Sequence, residues 1–169
     1  YAIFIQSSGA MSPNPLPVLL GGSIADAMLF DDRLCNKIII IDVNTMQLAD
    51  EIEIAPTACL HFGNAYEKGN ELHFDMILTQ EDAYSTPMSK AKYLDIFSPD
   101  VDFKSGGGYY KRFIINLPKG NVQIESIDDA LLGEFPQWDW TLSTQENRFA
   151  VTTCYPDGGP KTYFTGIQK

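Results

Sequence analysis

Short runs of Ile, Val, Phe, Tyr and Thr, cut at close intervals by Gly, Pro, Asn and Asp, follow one another through most of this chain, and that rhythm restricts it to an all-β protein of many short strands. Strands are expected near Ala2–Gln6, Lys37–Val43, Glu51–Ile54, Leu60–Glu67, Glu71–Ile77, Tyr109–Leu117, Val122–Ile127, Arg148–Cys154 and Thr162–Ile167. Two stretches break the rhythm. Ser7–Pro17 holds three prolines among small and polar residues and reads as a long excursion, followed by a short helix around Ser23–Leu29. Ser85–Phe97 reads as a helical insertion, with Ser105–Gly108 as a flexible link behind it. No internal repeat is strong enough to name.

The clearest hairpin is Leu60–Ile77, where Lys68-Gly69-Asn70 supplies residues that tolerate positive φ between two alternating runs. With a two-residue loop, either Lys68-Gly69 or Gly69-Asn70, Leu72, Phe74 and Met76 share a face with His61. His73 and Asp75 then take the other face, so the two histidines point apart. A three-residue loop reverses the assignment.

At 169 residues the chain suits one domain with a sizeable core. It opens at Tyr1 inside a strand-like run, without an initiator methionine or a signal-like leader, so residues 1–169 read as a single partial domain cut from the interior of a larger protein. The net charge of -10 is spread along the sequence and argues against a phosphate-tracking surface, which excludes nucleic acid as a partner. The longest apolar run, Lys37–Val43, is strand length and far short of the roughly 18 to 20 residues of a spanning helix. Cys35, Cys59 and Cys154 are odd in number, far apart and outside any CxxC pair, which fits a reducing cytoplasm and indicates neither a disulfide framework nor a thiolate metal site.

The segment His61-Phe62-Gly63-Asn64-Ala65-Tyr66-Glu67 resembles the H-x-x-N-A-(aromatic)-E motif of the carotenoid cleavage oxygenases. Glu134-Phe135-Pro136-Gln137 follows in the right order and resembles that family's E-F-P signature. Two strands, Tyr110-Lys111-Arg112-Phe113-Ile114-Ile115 and Asn147-Arg148-Phe149-Ala150-Val151, resemble those flanking E-F-P. Tyr1-Ala2-Ile3-Phe4 resembles the end of H-D-F-x-x-T-x-x-Y-A-I-F, whose histidine would precede this chain. Gln137, where the family often has Arg, and Trp138-Asp139-Trp140 depart from the pattern and bear on the substrate.

This resemblance implies a seven-bladed β-propeller, of which the chain supplies two to three blades. It implies a ferrous ion on the propeller axis held by four histidines, of which His61 is the one at a matching position here. Two others are expected upstream and one downstream. Imidazole suits Fe(II), and open coordination positions let O2 meet an alkene. Glu134 is implied to accept the second ring N–H of an iron-bound histidine, usually one other than His61 in the family. The implied reaction is cleavage by O2 of a conjugated double bond in a carotenoid, apocarotenoid or stilbene, giving two carbonyl products. The alternatives are a retinoid-type isomerohydrolase and a non-catalytic propeller used for binding or scaffolding. Apolar polyene or stilbene and O2 are the implied partners, and peripheral membrane contact of the parent protein stays open. One histidine provides too few ligands, so the 169 residues alone are expected to be inactive.

Each residue also has a plainer reading. An isolated strand histidine is ordinarily satisfied by a hydrogen bond; the flanking motif singles out His61, while His73 has none and reads as structural. Phe62, Phe135 and Trp138 could line an apolar tunnel, although strand aromatics more often fill cores, and Phe135 is the best placed of them beside Glu134. Glu67 is assigned to turn structure or surface pairing. Asp128-Asp129 and Ser98–Asp102 lack the spacing of a calcium loop, Gly106–Gly108 lacks the Lys-Ser/Thr of a phosphate cradle, and Ser7-Ser8-Gly9 lacks a nucleophile-elbow context.

Overall fold

Ile38 and Ile40 are fully buried while Lys37, Ile39 and Ile41 between and beside them are not, the period-two signature of a strand with one face on a core. The same alternation recurs along the chain of this computed structural model, which describes residues 1–7, 9–11, 14, 16–22, 28–30, 35–57, 61–79, 108–127, 129–156 and 164–169. The strands are β1 (Ala2–Gln6), β2 (Gly9–Met11), β3 (Met28–Phe30), β4 (Asn36–Asp42), β5 (Gln47–Ile54), β6 (Phe62–Lys68), β7 (Glu71–Thr79), β8 (Gly108–Asn116), β9 (Asn121–Ser126), β10 (Gly133–Gln137), β11 (Val151–Cys154) and β12 (Gly166–Gln168).

All pairings between the described strands are antiparallel. Strands β1, β4 and β5 form one sheet in that order, and β2 pairs with β3. Strands β6 to β9 form a four-stranded meander, and β10, β11 and β12 begin a further one that is tied to β8 by the single pairing of Gly133 with Gly108. The chain is all-β, as expected for part of a seven-bladed propeller, and β6–β9 make one four-stranded blade of it.

Packing between sheets explains the stacking. Ile38, Ile40, Ile52 and Ile54 from β4 and β5 meet Leu72, Phe74 and Met76 from β7 and Phe113 and Ile115 from β8 in one core. Every residue from Leu72 to Ile77 is buried, so β7 is covered on both faces. The second face carries His73, Asp75 and Ile77 and lies toward β10 and the 138–150 segment, which Asn64 reaches with its side chain. Each fully buried Ile or Phe contributes roughly 1.5–3 kcal/mol, which makes blade-to-blade contact the main stabilising term.

Several expectations shift. Met28 and Leu29 belong to β3 and not to a helix, residues 23–27 lie outside the described residues, and a short helix, α1, falls earlier at Leu16–Leu19. The Ser85–Phe97 insertion and Asp128 lie outside the described residues, as do Thr162 and Tyr163 at the start of the last expected strand. Gly108 is no linker but the buried first residue of β8. Strand β10 was not expected, because its Gly133-Glu134-Phe135-Pro136-Gln137 sequence carries two residues that weaken a ladder.

Candidate metal centre

The β6–β7 loop has two residues, Gly69 and Asn70, since Lys68 pairs with Glu71, and Gly69 takes φ 63°. That register would set His61 on the Leu72, Phe74 and Met76 face if it ran unbroken. It does not. Ala65 opposes Phe74 but Phe62 opposes Met76, so Gly63 and Asn64 together face Asp75 in a β-bulge. Beyond the bulge Ile77 donates its N–H to the His61 carbonyl, and His61 comes round to the face of Asp75 and Ile77. The expectation that His61 and His73 point apart is therefore corrected: one inserted residue reverses the facing.

The second strand that builds the site carries a bulge as well. Glu134 opposes Thr153 and Gln137 opposes Val151, leaving one extra residue on β10. Phe135 absorbs it with φ 55°, a left-handed conformation that a bulky residue rarely adopts. In a regular strand Glu134 and Phe135 would point to opposite faces; here both reach His61. The Glu134 carboxylate Oε2 stands 2.8 Å from His61 Nδ1, and the Phe135 ring lies 4.9 Å from the imidazole. Phe164 closes behind Phe135 edge-on at 5.9 Å and meets Tyr155 at 4.6 Å. The resemblance implies a histidine partner for Glu134 without claiming His61 as that partner, and here the partner is His61.

The geometry fixes the imidazole. Glu134 is 5% exposed at its side chain, and its Oε2 also accepts the Phe135 N–H at 3.0 Å, so the carboxylate cannot swing away without losing both bonds. Its Oε1 is buried with no hydrogen-bond partner among the described residues. A carboxylate opposite Nδ1 selects the tautomer that carries its proton there, which leaves the lone pair on Nε2, the nitrogen a metal would take. The His61 side chain is 42% exposed, so the ring is reachable. These features fit a metal ligand with its supporting carboxylate.

Among the described residues no group of three or more His, Cys, Asp or Glu is arranged to hold a metal ion, and the sequence has two histidines in all. His73 is not a second ligand here. It is buried, stacks on Tyr66 at 4.8 Å and contacts Glu71 through Nε2 at 3.1 Å. Phe62 lies on the opposite face of β6 from His61, against Phe74 at 6.5 Å, and lines a cavity of about 480 Å³ with Tyr1, Ile3 and Leu72. That cavity does not include His61, so the chemistry of His61 and Glu134 defines the site and the cavity does not. Trp138 stacks on Trp140 at 5.3 Å.

Below the β6 bulge a buried network holds the strand. Asp75, 1% exposed, takes two hydrogen bonds from Arg112 at 2.8 and 2.9 Å and one from the Tyr110 hydroxyl at 2.9 Å. Burial, and then the adjacent Asp75 charge, push the Tyr110 hydroxyl far above the usual tyrosine range. The hydrogen bonds that Arg112 donates to Asp75 raise the guanidinium above its ordinary range, against the opposing effect of burial. A Cβ at Gly63 would lie 2.6 Å from the Tyr110 hydroxyl and 2.9 Å from Asp75 Cβ, so only glycine fits above the network. Asn64, Phe164 and the Asp75–Arg112 pair escaped the sequence reading; the N of the motif was the one available signal, and it carried no role.

Comparison with known proteins bears directly on this arrangement. The family described as retinal pigment epithelial membrane protein (RPE65) matches residues 1–169, the whole chain. Among solved structures, a cobalt-substituted Synechocystis ACO superposes with a TM-score of 0.75 at 21% identity, over 94% of this chain and 32% of that one. A variant of the Synechocystis apocarotenoid oxygenase gives 0.75 at 21% identity over 99% and 33%, and a variant ACO/RPE65 chimera gives 0.77 at 18% identity over 98% and 32%. The chain thus spans about a third of the length of the solved structures it resembles. No curated protein sequence matches it significantly. By a match that runs over all its residues, the chain belongs to the RPE65 family of carotenoid oxygenases.

Proposed function

We propose that the whole protein, of which residues 1–169 are an internal part of one propeller domain, is a ferrous oxygenase. It would cleave a conjugated carbon-carbon double bond of a carotenoid, apocarotenoid or stilbene with O2 and release two carbonyl products. The observation that carries this reading is the 2.8 Å contact between His61 Nδ1 and the buried Glu134 carboxylate, the pairing expected of a metal-ligating imidazole. In that role His61 offers Nε2 to the metal. Glu134 holds the proton at Nδ1 and fixes the ring plane. The remaining ligands come from outside this chain. Fe(II) held by His61 and by ligands from the rest of the protein would supply the O2 chemistry. Phe135, itself half exposed, and Phe164 behind it form an apolar wall beside the imidazole that offers a surface to a polyene. Phe62 would serve a substrate only through the separate cavity on the other face of β6. Cytoplasmic residence belongs to the same proposal and is supported by free thiols at Cys35 and Cys154.

The test is turnover of the iron-loaded full-length protein on a panel of polyenes and stilbenes under 18O2. Paired carbonyl products carrying label from O2 support the oxygenase. A product labelled from water, with an isomerised double bond, supports the isomerohydrolase, and no turnover with no metal uptake supports a binding propeller.

A further inference from the structure

We propose that Asn64 is the positioning residue that sets which face of β6 presents His61, and so holds the imidazole against Glu134; this rests on the metal-ligand reading of His61. A bulge takes one residue out of the strand ladder, so contacts other than ladder pairing must hold it in place. Asn64 does so with its side chain. It is 2% exposed, and its Nδ2 donates to the carbonyls of Gln145 at 2.8 Å and Leu142 at 3.4 Å and to Asn147 Oδ1 at 3.0 Å. Its Oδ1 accepts the Thr144 N–H at 3.3 Å. Donors and acceptor are all used, which makes the side chain a clamp with one orientation.

The clamp closes on the segment just downstream of β10, the strand that carries Glu134. Thr144, a β-branched residue, sits there at φ 68° and forms a bridge to Tyr66. Such a conformation persists only where its surroundings over-determine it. Asn64 therefore ties β6, which begins just after His61, to the segment that follows Glu134, at one fixed offset. Gly63 fixes the location of the bulge, since no other residue type fits above Tyr110 and Asp75. Slip the bulge out and His61 returns to the face of Leu72, Phe74 and Met76, away from the carboxylate.

The experiment is Co(II) titration of the metal-free full-length protein, read by binding constant and by the Co(II) visible spectrum, for the parent, Asn64→Ala, Asn64→Ser, His61→Ala and a core control. Ile115→Val or Ile115→Ala serves as control, whichever matches the fall in Tm, and Asn64→Ser stands in should Asn64→Ala fail to fold. Loss of the supporting carboxylate typically weakens metal binding about 10- to 100-fold. At least a tenfold weaker Co(II) affinity with shifted bands in the Asn64 variant, against an unchanged control, is the expected result. Parent-like affinity and spectrum in that variant, with His61→Ala losing the metal, would overturn this inference alone and leave Asn64 a blade clip. Metal retained in His61→Ala would remove the reading beneath it as well.

Discussion

Replacing Glu134 by Gln tests whether the carboxylate acts on the imidazole or only fills space. The two side chains have nearly the same shape, so the bulge at Phe135 and the packing survive. What changes is the bond to His61 Nδ1 at 2.8 Å, from charge-assisted to neutral. Hydrogen bonds to charged groups contribute about 1.5–3 kcal/mol and neutral ones about 0.5–1.5, so roughly 1–1.5 kcal/mol of ligand support is lost. At about 1.4 kcal/mol per tenfold, metal affinity should fall by roughly a factor of ten. Stability of the metal-free protein should move the other way or not at all, because Oε1 is buried without a partner among the described residues and the variant no longer buries a charge there. Metal titration and thermal unfolding of the metal-free form, run side by side on the full-length protein, separate the two effects. Unchanged metal affinity in Glu134→Gln, or affinity lost only in proportion to stability, refutes the assigned role.

Other perturbations follow from the same geometry. Gly63→Ala drives a methyl into Tyr110 and Asp75 and should cost about 1–3 kcal/mol in chemical denaturation. Asp75→Asn breaks a buried bidentate pair with Arg112, and since Arg112 is 25% exposed the loss should fall near the low end of about 3–5 kcal/mol. Tyr110 makes no pH-dependent contribution at neutrality, but above pH ~10 the unfolded chain releases its phenolic proton while the folded one keeps it. Stability should thus decline as the pH rises past that point, and Tyr110→Phe should flatten the decline in denaturation curves taken between neutral and alkaline pH. Phe135→Ala should raise KM for an apolar polyene with little change in metal affinity, whereas Phe62→Ala, on the far face of β6, should alter neither in steady-state assays.

The strands were legible because their apolar residues alternate, as in Asn36–Asp42, and the β6–β7 turn because Gly69 and Asn70 are turn residues. His61 and Glu134 were legible through motifs. Their contact was not. A single inserted residue at Gly63-Asn64 decides the face of His61, and another at Phe135 decides where Glu134 points, yet neither bulge leaves a mark in the hydrophobic pattern. Period-two reasoning counts residues, and a bulge changes the count. Strand β10 was missed for a related reason, since Gly133 and Pro136 suppress the local propensity that pairing with Val151–Cys154 overrides. Asn64 sat in plain view within a motif, but its partners lie some eighty positions downstream, beyond the reach of spacing.

Iron content of the full-length protein after anaerobic Fe(II) loading, compared between the parent and His61→Ala, addresses the central claim most directly. About one iron per chain in the parent, lost in the variant while its unfolding curve stays close to the parent's, is the predicted result. Iron retained at parent stoichiometry in His61→Ala would contradict it.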